Sequence, residues 1–357
     1  VAKWFIPYPA NPDVSVHYIC HIPPESSPPL QRASIFQLVK DTTAFYHLME
    51  RIIRQYFGRL ESLIIIKDQK LLLEEYFFGY DRKQLHYINS CTKSVVSLLL
   101  GIALERHNAL NVEVPAFGFF PQSDTVRNPE KKKITLKHLL TMTSGLPVDD
   151  DFECFDPLDV VKEMLDQPLE THPGESFAYN NNSTNLLGSM IYTLEKKQAD
   201  AFAKEVLFNK LGISEYTWDK ENNVVQCHNG LHMLPTDMAK IGLLALNNGY
   251  WNGEEIVPAE WITMSTKPTV AESEYFDYGF QWWCRSRQNK SWWKDPVQGS
   301  RKEHDMFLAL GFGGQYIMVI RDLNMVVAIT SSDNCESNGR AHQKVPLVIE
   351  EIVPLFR

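Results

Sequence analysis

Several features that would point to a function directly are missing from this sequence. Its six cysteines are scattered and lack the paired spacing of a disulfide framework or a zinc site. The longest apolar run, residues 94–104, is too short to span a bilayer. The net charge of −9 offers no basic surface to nucleic acid, and no Gly-x-Ser-x-Gly elbow marks an α/β-hydrolase. We therefore expect no metal site, no transmembrane segment and no nucleic-acid partner.

The composition is that of an ordinary globular protein. Of the 357 residues, 44% are hydrophobic and 22% are charged, which supplies enough apolar side chain for a large core. This length fits one composite domain or two. Because the sequence starts at Val1 rather than Met, we expect that a preceding segment has been trimmed, which leaves the compartment open. The sequence does not indicate an oligomeric state.

Strand patterns and helix patterns occupy different parts of the chain. Two β-rich runs at residues 62–67 and 71–78 predict a hairpin, and residues 110–225 carry mostly helical patterns. Four β-rich runs and a last predicted helix then follow, at residues 278–285, 306–311, 315–321, 325–331 and about 341–353. This order predicts an α+β fold, in which an antiparallel β-sheet is flanked by terminal helices and carries an inserted all-helical region.

The same order predicts a domain division. Residues 1–33 are proline-rich and are expected to form an extended N-terminal arm on the surface. Residues 34–110 and 226–357 are expected to form the sheet domain, and residues 111–225 the helical domain. The active site is expected between these two domains.

The tetrapeptide Ser90-Cys91-Thr92-Lys93 begins an apolar stretch that predicts a helix over residues 91–106. On such a helix Lys93 follows Ser90 by one turn and lies on the same face. A serine hydroxyl is a weak nucleophile and needs an adjacent base. Burial lowers the pKa of a lysine, so that its amine is neutral for part of the time. The pair therefore predicts a serine nucleophile that is activated by a lysine.

The Ser-x-x-Lys spacing also has a simpler explanation. It arises about once by chance in a chain of ordinary composition and this length, and a serine at this place often caps a surface helix. The pattern around it favours catalysis, because polar or small residues recur at three- and four-residue steps on a helix that is otherwise apolar. These residues are Ser90, Lys93, Ser97 and Gly101.

A second motif, Tyr179-Asn180-Asn181, lies within a more specific frame over residues 173–188, and residues 134–146 and 230–239 add weaker matches. With these motifs, the chain from about residue 60 to 335 resembles the serine β-lactamase and penicillin-binding-protein superfamily. More narrowly, it resembles the branch that holds class C β-lactamases, family VIII carboxylesterases, D-aminopeptidases and 6-aminohexanoate-dimer hydrolases. The resemblance implies the fold and the covalent chemistry of that superfamily.

The resemblance implies that Tyr179 shares proton transfer with Lys93, and that Asn181 orients Lys93 and the substrate amide or ester. A phenol accepts a proton only if its pKa is lowered, and a nearby Lys93 cation is expected to do that. Whether Lys93 or Tyr179 takes the proton of Ser90 stays open, because the two would titrate as a coupled pair. The simpler alternatives are a packed loop tyrosine and a turn asparagine.

The third family motif is Lys-Thr-Gly or His-x-Gly on a strand that faces the serine. The matching stretch, residues 310–316, has Phe312 where the cation stands. Loss of the cation removes the group that meets the carboxylate of a β-lactam, so efficient penicillin or cephalosporin turnover is not expected. Gly313 and Gly314 are expected to let the strand approach the substrate closely. The backbone amide of Gln315, or of Gly314 if the register shifts by one, would pair with that of Ser90 as an oxyanion hole.

Two other groups of residues have ordinary explanations. His228 and His232 are four residues apart, but no third ligand accompanies them, so a metal site is not favoured. Four tryptophans are candidates to line an apolar acyl pocket, although core packing explains them nearly as well: Trp282, Trp283, Trp292 and Trp293.

These features predict a serine hydrolase that cleaves a carboxylic ester or a small amide through an acyl-enzyme on Ser90. It needs no metal or organic cofactor, and its partner is a small-molecule ester or amide. A D-amino-acid peptidase or weak β-lactamase is the alternative among enzymes. A catalytically silent relative that binds peptidoglycan or a protein partner is the alternative outside enzymes. The family resemblance favours a periplasmic or secreted location.

Overall fold

The computed structural model of the chain describes residue 18 and residues 30–148, 153–273, 275–285, 304–332 and 344–356. The strands in these ranges are β1 Gln31–Arg32, β2 Leu60–Lys67, β3 Lys70–Tyr76, β4 His86–Tyr87, β5 Tyr216–Trp218, β6 Lys220–Glu221, β7 Val224–Val225, β8 Leu231–Met233, β9 Tyr250–Trp251, β10 Glu254–Glu255, β11 Val270–Ala271, β12 Phe276–Tyr278, β13 Trp283–Arg285, β14 Met306–Gly311, β15 Gln315–Ile320 and β16 Met325–Ser331. The α-helices are α1 Thr42–Ile53, α2 Cys91–Arg106, α3 Leu136–Leu140, α4 Asp159–Asp166, α5 Asn181–Glu195, α6 Ala199–Ala203, α7 Asn209–Leu211, α8 Pro235–Leu246, α9 Ala259–Ser265 and α10 Lys344–Pro346. The α+β class predicted from the sequence is confirmed.

The chain divides into two compact units. The first contains Val1–Ile88, Met233–Leu246 and Asn289–Arg357, and the second contains Asn89–His232 and Asn247–Gln288. All the helices from α2 to α7 belong to the second unit, together with α9.

The sheet of the first unit has the strand order β1-β3-β2-β16-β15-β14. The pairs β3-β2, β2-β16, β16-β15 and β15-β14 are antiparallel, as predicted. The short β1 departs from that pattern, because it pairs with β3 in the parallel direction. Nearly every residue of β2, β15 and β16 is buried, so both faces of these strands are covered.

Helices cover the central strands of the first unit. A Cβ added at Gly242 of α8 would lie 2.6 Å from Val326 Cγ1 and 2.8 Å from Ile317 Cγ2, so α8 lies directly on β15 and β16. Arg51 of α1 forms an ion pair of 2.7 Å with Glu351 in the C-terminal helical segment. Helix α1 is therefore joined to the helical segment Leu347–Ile352 near the end of the described chain.

Helix α2 is the buried element of the second unit. Of its 16 residues, 14 are buried, and these include Lys93. Each fully buried Leu or Val contributes about 1.5–3 kcal/mol relative to an exposed one, which explains why this helix is stable although almost none of it faces solvent. Trp261 of α9 packs against it and donates a hydrogen bond of 2.9 Å from Nε1 to the Ser97 carbonyl.

The strand predicted at residues 278–285 is interrupted. It forms two short antiparallel strands, β12 and β13, with a turn between them. Gln281 in this turn has φ of 65°, in the left-handed region that an extended strand cannot contain. Sequence patterns of apolar and aromatic residues do not report such a local reversal, which is why the prediction was wrong there.

No helix within the described ranges is long and apolar enough to cross a membrane. The predicted arm over residues 1–33 lies outside the described residues, except for Tyr18 and residues 30–33. Trp292 and Trp293 also lie outside them.

Candidate active site

Ser90 lies at the turn that begins α2. The carbonyl of Asn89 accepts hydrogen bonds from the backbone amide of Thr92 at 3.0 Å and from its hydroxyl at 2.7 Å, and Asn89 itself has φ of 50°. Within this fully described helix start, the Ser90 hydroxyl caps no backbone amide. The simpler explanation of the motif, a serine that caps a surface helix, therefore does not describe this residue.

Lys93 is held beside Ser90 and away from water. Only 1% of its surface is exposed. Its Nζ donates to the carbonyl oxygen of His228 at 2.7 Å and to Ser90 Oγ at 3.3 Å. The second bond is at the long end of the range for a hydrogen bond. The arrangement aims the amine at the hydroxyl.

The ring of Tyr179 packs against the same amine. Lys93 Nζ lies 4.9 Å from the ring centroid, within the range of a cation–π contact. Although 37% of the residue is exposed, its hydroxyl lies in the interior, where desolvation raises its pKa well above the ordinary value. A hydrogen bond with Ser90 lowers the pKa of Tyr179, but by less than desolvation raises it. The shift is opposite to the lowered pKa that the sequence predicted for Tyr179.

Three consecutive asparagines connect Tyr179 to α5. Asn180 caps the helix, because its Oδ1 accepts from the Ser183 amide at 3.0 Å, and its Nδ2 donates to the carbonyl of Leu146 at 2.8 Å. Asn182 Nδ2 donates to the Pro147 carbonyl at 3.1 Å. Asn181 is the first residue of α5 and is half-buried. Its two neighbours are thus engaged in building the helix start.

The predicted third motif forms one end of a hairpin in the first unit. Gly311 of β14 pairs with Gln315 of β15, and Phe312, Gly313 and Gly314 form the turn between them. Gly313 and Gly314 have φ of 77° and 89°, a conformation that glycine adopts without strain. Phe312 is 64% exposed. The Gly314 amide donates to the Gly311 carbonyl at 3.3 Å and so helps to close the turn. Gln315 is buried, and its side chain donates to the carbonyl of Ser331.

The remaining candidates have structural partners. His228 Nδ1 lies 3.1 Å from Asn185 Oδ1, whereas His232 Nε2 lies 3.1 Å from an Asp219 carboxylate oxygen. In the described part of the chain, no group of three His, Cys, Asp or Glu side chains is placed to hold a metal ion. Cys91 beside Ser90 is fully buried, and desolvation raises the pKa of its thiol. A protonated, buried thiol is not a nucleophile.

Sequence reasoning missed two neighbours of the reactive groups. The first is the backbone carbonyl of His228, which no side-chain pattern can indicate. The second is the stacking of Trp283 on Tyr179, in which the ring centroids are 5.7 Å apart and the interplanar angle is 24°. Tyr278 adds an edge contact to Trp283 at 5.0 Å. Trp282, in contrast, is fully buried and belongs to the core.

Comparison with known proteins places this geometry in a family. The sequence profile of the Beta-lactamase family matches residues 50–345. The chain belongs to this family, so the resemblance inferred from the motifs is confirmed at that level.

Individual relatives are distant. Protein flp of Staphylococcus aureus (strain MRSA252) is 27% identical over 179 residues, which cover 45% of this chain and 35% of that protein. The chain thus spans about a third of the length of this curated relative. A solved structure of a putative β-lactamase from Bacteroides dorei is 18% identical, with a TM-score of 0.71, and the match covers 88% of this chain and 98% of that one. A putative 6-aminohexanoate-dimer hydrolase from Bacillus anthracis is 23% identical, with a TM-score of 0.65, covering 82% and 78%. These two structures share the fold.

Proposed function

We propose that the protein is a serine hydrolase that cleaves a carboxylic ester or a small amide through an acyl-enzyme on Ser90. The observation that carries the proposal is the buried Lys93 amine, which lies 3.3 Å from Ser90 Oγ and is held there by the His228 carbonyl. A buried lysine is costly unless its amine has hydrogen-bond partners, and one of its partners here is the Ser90 hydroxyl. Membership of the Beta-lactamase family supports a hydrolase.

In the proposed acylation, the neutral amine of Lys93 accepts the proton of Ser90 while Oγ bonds to the substrate carbonyl carbon. Burial favours the neutral amine that this step requires. The carbonyl oxygen becomes an oxyanion, which backbone amides would stabilise. The C–O or C–N bond to the leaving group then breaks, and the leaving group takes a proton from the site. In deacylation, water attacks the acyl carbon and gives a proton to the site, the bond from that carbon to Ser90 Oγ breaks, and Oγ recovers its proton.

The raised pKa of Tyr179 bears on the choice of base. A phenol with such a pKa is protonated at neutral pH, so it suits the donation of a proton to the leaving group better than its removal from Ser90. We therefore assign the first proton transfer to Lys93 and the second to Tyr179, which recovers its proton from the Lys93 ammonium so that both groups end as they began. Asn181 is proposed to orient the substrate. The Gln315 amide stays the predicted second donor to the oxyanion.

The proposed substrate class follows from Phe312. An exposed aromatic ring at the position of the family's cation would contact a neutral, apolar part of a substrate and would not pair with a carboxylate. This favours esters and small amides over penicillins and cephalosporins. The name of the Bacillus anthracis neighbour supports the inclusion of linear amides among the substrates to be tested.

The test is intact-mass detection of an adduct on Ser90 after treatment with a fluorophosphonate probe. A Ser90→Ala variant is the matched control. It should lose the adduct while the free energy of unfolding falls by only about 1 kcal/mol, because the hydroxyl caps no backbone amide and its bond with Lys93 is long. Folded wild-type protein that takes up no probe would contradict the hydrolase proposal and favour a silent binding protein.

A second assay separates the two enzyme classes. Hydrolysis of a short-chain nitrophenyl ester is compared with hydrolysis of a chromogenic cephalosporin and of a linear amide. We expect the ester rate to exceed the cephalosporin rate by about 10- to 100-fold, the scale of one lost hydrogen bond to a charged group. Equal rates would favour the β-lactamase or D-amino-acid peptidase alternative.

A further inference from the structure

Gln281 has a backbone conformation that a residue with a side chain rarely adopts. Its φ is 65°, and only 1% of its surface is exposed. A non-glycine residue in the left-handed region is strained, and such strain persists only where the surroundings hold it in place. Glycine would occupy this turn without strain. The side chain of Gln281 must therefore contribute something that glycine lacks.

Every polar atom of Gln281 has a partner in the second unit. The backbone amide donates to the Leu140 carbonyl at 3.1 Å, and the backbone carbonyl accepts from Ser94 Oγ at 2.6 Å. In the side chain, Oε1 accepts from Thr184 Oγ1 at 2.8 Å, and Nε2 donates to the carbonyls of Leu140 at 3.0 Å and Leu139 at 3.3 Å. A buried amide that is satisfied on both sides fixes the position of its partners relative to each other.

These partners lie on the elements that carry the reactive side chains. Ser94 follows Lys93 directly on α2. Thr184 lies on α5, in its first turn after Asn181. Leu140 ends α3 two residues before Met142, whose carbonyl accepts from the backbone amide of Ala178 at 2.9 Å. Ala178 precedes Tyr179. Gln281 thus connects the segment of Ser90 and Lys93 with both sides of the segment of Tyr179.

We propose that Gln281 is a positioning residue, which sets the placement of Tyr179 relative to Ser90 and Lys93: its backbone carbonyl binds α2, and its buried side chain joins α3 to α5. The inference rests on the proposed function for its kinetic consequence. Trp283, two residues later in the same segment, stacks on the Tyr179 ring and extends the support to its aromatic surface. Gln281 itself does not contact the substrate.

The test uses two variants that remove the side-chain connection in different ways. Gln281→Gly removes the side chain and also removes the backbone strain. Thr184→Val keeps the volume of the side chain and removes the hydroxyl, whereas Thr184→Ser keeps the hydroxyl and serves as the conservative variant. Phe208→Leu is the control for a general loss of stability, since Phe208 is fully buried in the same unit and packs on Tyr216 at 4.6 Å.

The informative quantity is the rate constant of fluorophosphonate labelling per folded molecule, together with kcat for the ester. A displacement of about 1 Å can reduce the rate of a positioned reaction by on the order of 100-fold. We expect Gln281→Gly and Thr184→Val to lower both quantities by about 10- to 100-fold with little change in KM. Thr184→Ser should stay close to the wild type, and Phe208→Leu should lower only the folded fraction.

Wild-type labelling rates in Gln281→Gly or Thr184→Val would overturn the positioning role while leaving the proposed function intact. If the wild type itself is not labelled, the proposed function fails, and crystal structures then test the positioning role by themselves. The Tyr179 ring should move relative to Lys93 by about 1 Å or more in Thr184→Val, and not in Thr184→Ser. An unchanged separation in both variants would overturn the inference.

Discussion

Gly101 offers a sharp test of how tightly α2 is packed. It lies in the middle of the helix that carries Ser90 and Lys93, and Trp261 lies against it. A Cβ added at Gly101 would lie 2.4 Å from Trp261 Cδ1 and 2.5 Å from Cγ, closer than real Cβ contacts come. Trp261 also donates from Nε1 to the Ser97 carbonyl at 2.9 Å, so the indole cannot move without disturbing that bond. We predict that Gly101→Ala destabilises the protein.

The magnitude follows from three opposing effects. Overpacking a well-filled core costs about 1–3 kcal/mol, and disturbing the indole hydrogen bond costs about 1 kcal/mol. Alanine has a higher helix propensity than glycine, which returns about 1 kcal/mol. The net expectation is a loss of about 1–3 kcal/mol in the free energy of unfolding. Helix propensity alone would have predicted a gain.

The assay is equilibrium unfolding in urea, with Gly118→Ala as the control. Gly118 has nothing within 4 Å of the added Cβ and does not have a positive φ, so alanine should be neutral or slightly stabilising there. A Gly101→Ala, Trp261→Leu double variant should lose less than the sum of the single changes, because the smaller side chain leaves room for the methyl group. A Gly101→Ala variant as stable as the wild type would refute this account of the packing.

Three further predictions concern Glu61, Tyr179 and Gly314. Burial alone would raise the pKa of the Glu61 carboxyl, but hydrogen bonds from His86 and Tyr80 outweigh it and hold the pKa below its ordinary value of 4.5. The carboxylate therefore stabilises the fold fully above pH 4.5, and that contribution is lost as the pH falls through the lower folded-state value. Glu61→Gln should accordingly lower the free energy of unfolding, measured in urea at pH 7, by about 1.5–3 kcal/mol. The difference in stability between the wild type and the variant should become smaller in acid. A difference that does not change with pH would contradict this explanation. Tyr179→Phe should reduce ester turnover by about 10²- to 10⁴-fold, and a near-normal kcat would remove Tyr179 from proton transfer. Gly314→Ala should lower stability by about 1–2 kcal/mol in the same unfolding assay, since φ there is 89° and a Cβ would lie 3.0 Å from Ser331 Cβ; no loss would mean that the turn relaxes.

The elements built from continuous patterns were predictable from the sequence. The strands β2, β3, β14, β15 and β16 and the helix α2 all follow from local periodicity and turn residues. The spacing of Ser90 and Lys93 likewise required only that α2 be a helix. In each case the physical cause lies within about ten residues of chain, which is the range that patterning reports.

The support of the site was not predictable in the same way. The backbone carbonyls of His228 and Gln281 reach α2 from more than 100 residues away along the chain. A glutamine between aromatic residues indicates neither burial nor a left-handed conformation. The pKa of Tyr179 was predicted in the wrong direction for a similar reason. The sequence suggested the effect of one neighbouring group, Lys93, whereas the desolvation that raises the pKa comes from all the residues packed around the hydroxyl.

The burial of α2 on all sides has a practical consequence for protein engineering. Under the proposed function, libraries aimed at new acyl groups would vary Phe312, which is 64% exposed, and would keep Tyr179, which is also exposed but whose ring lies against the Lys93 amine. Ser90 and Lys93 would then stay constant while the selectivity for acyl groups is varied, so that reactivity and selectivity could be optimised in separate rounds.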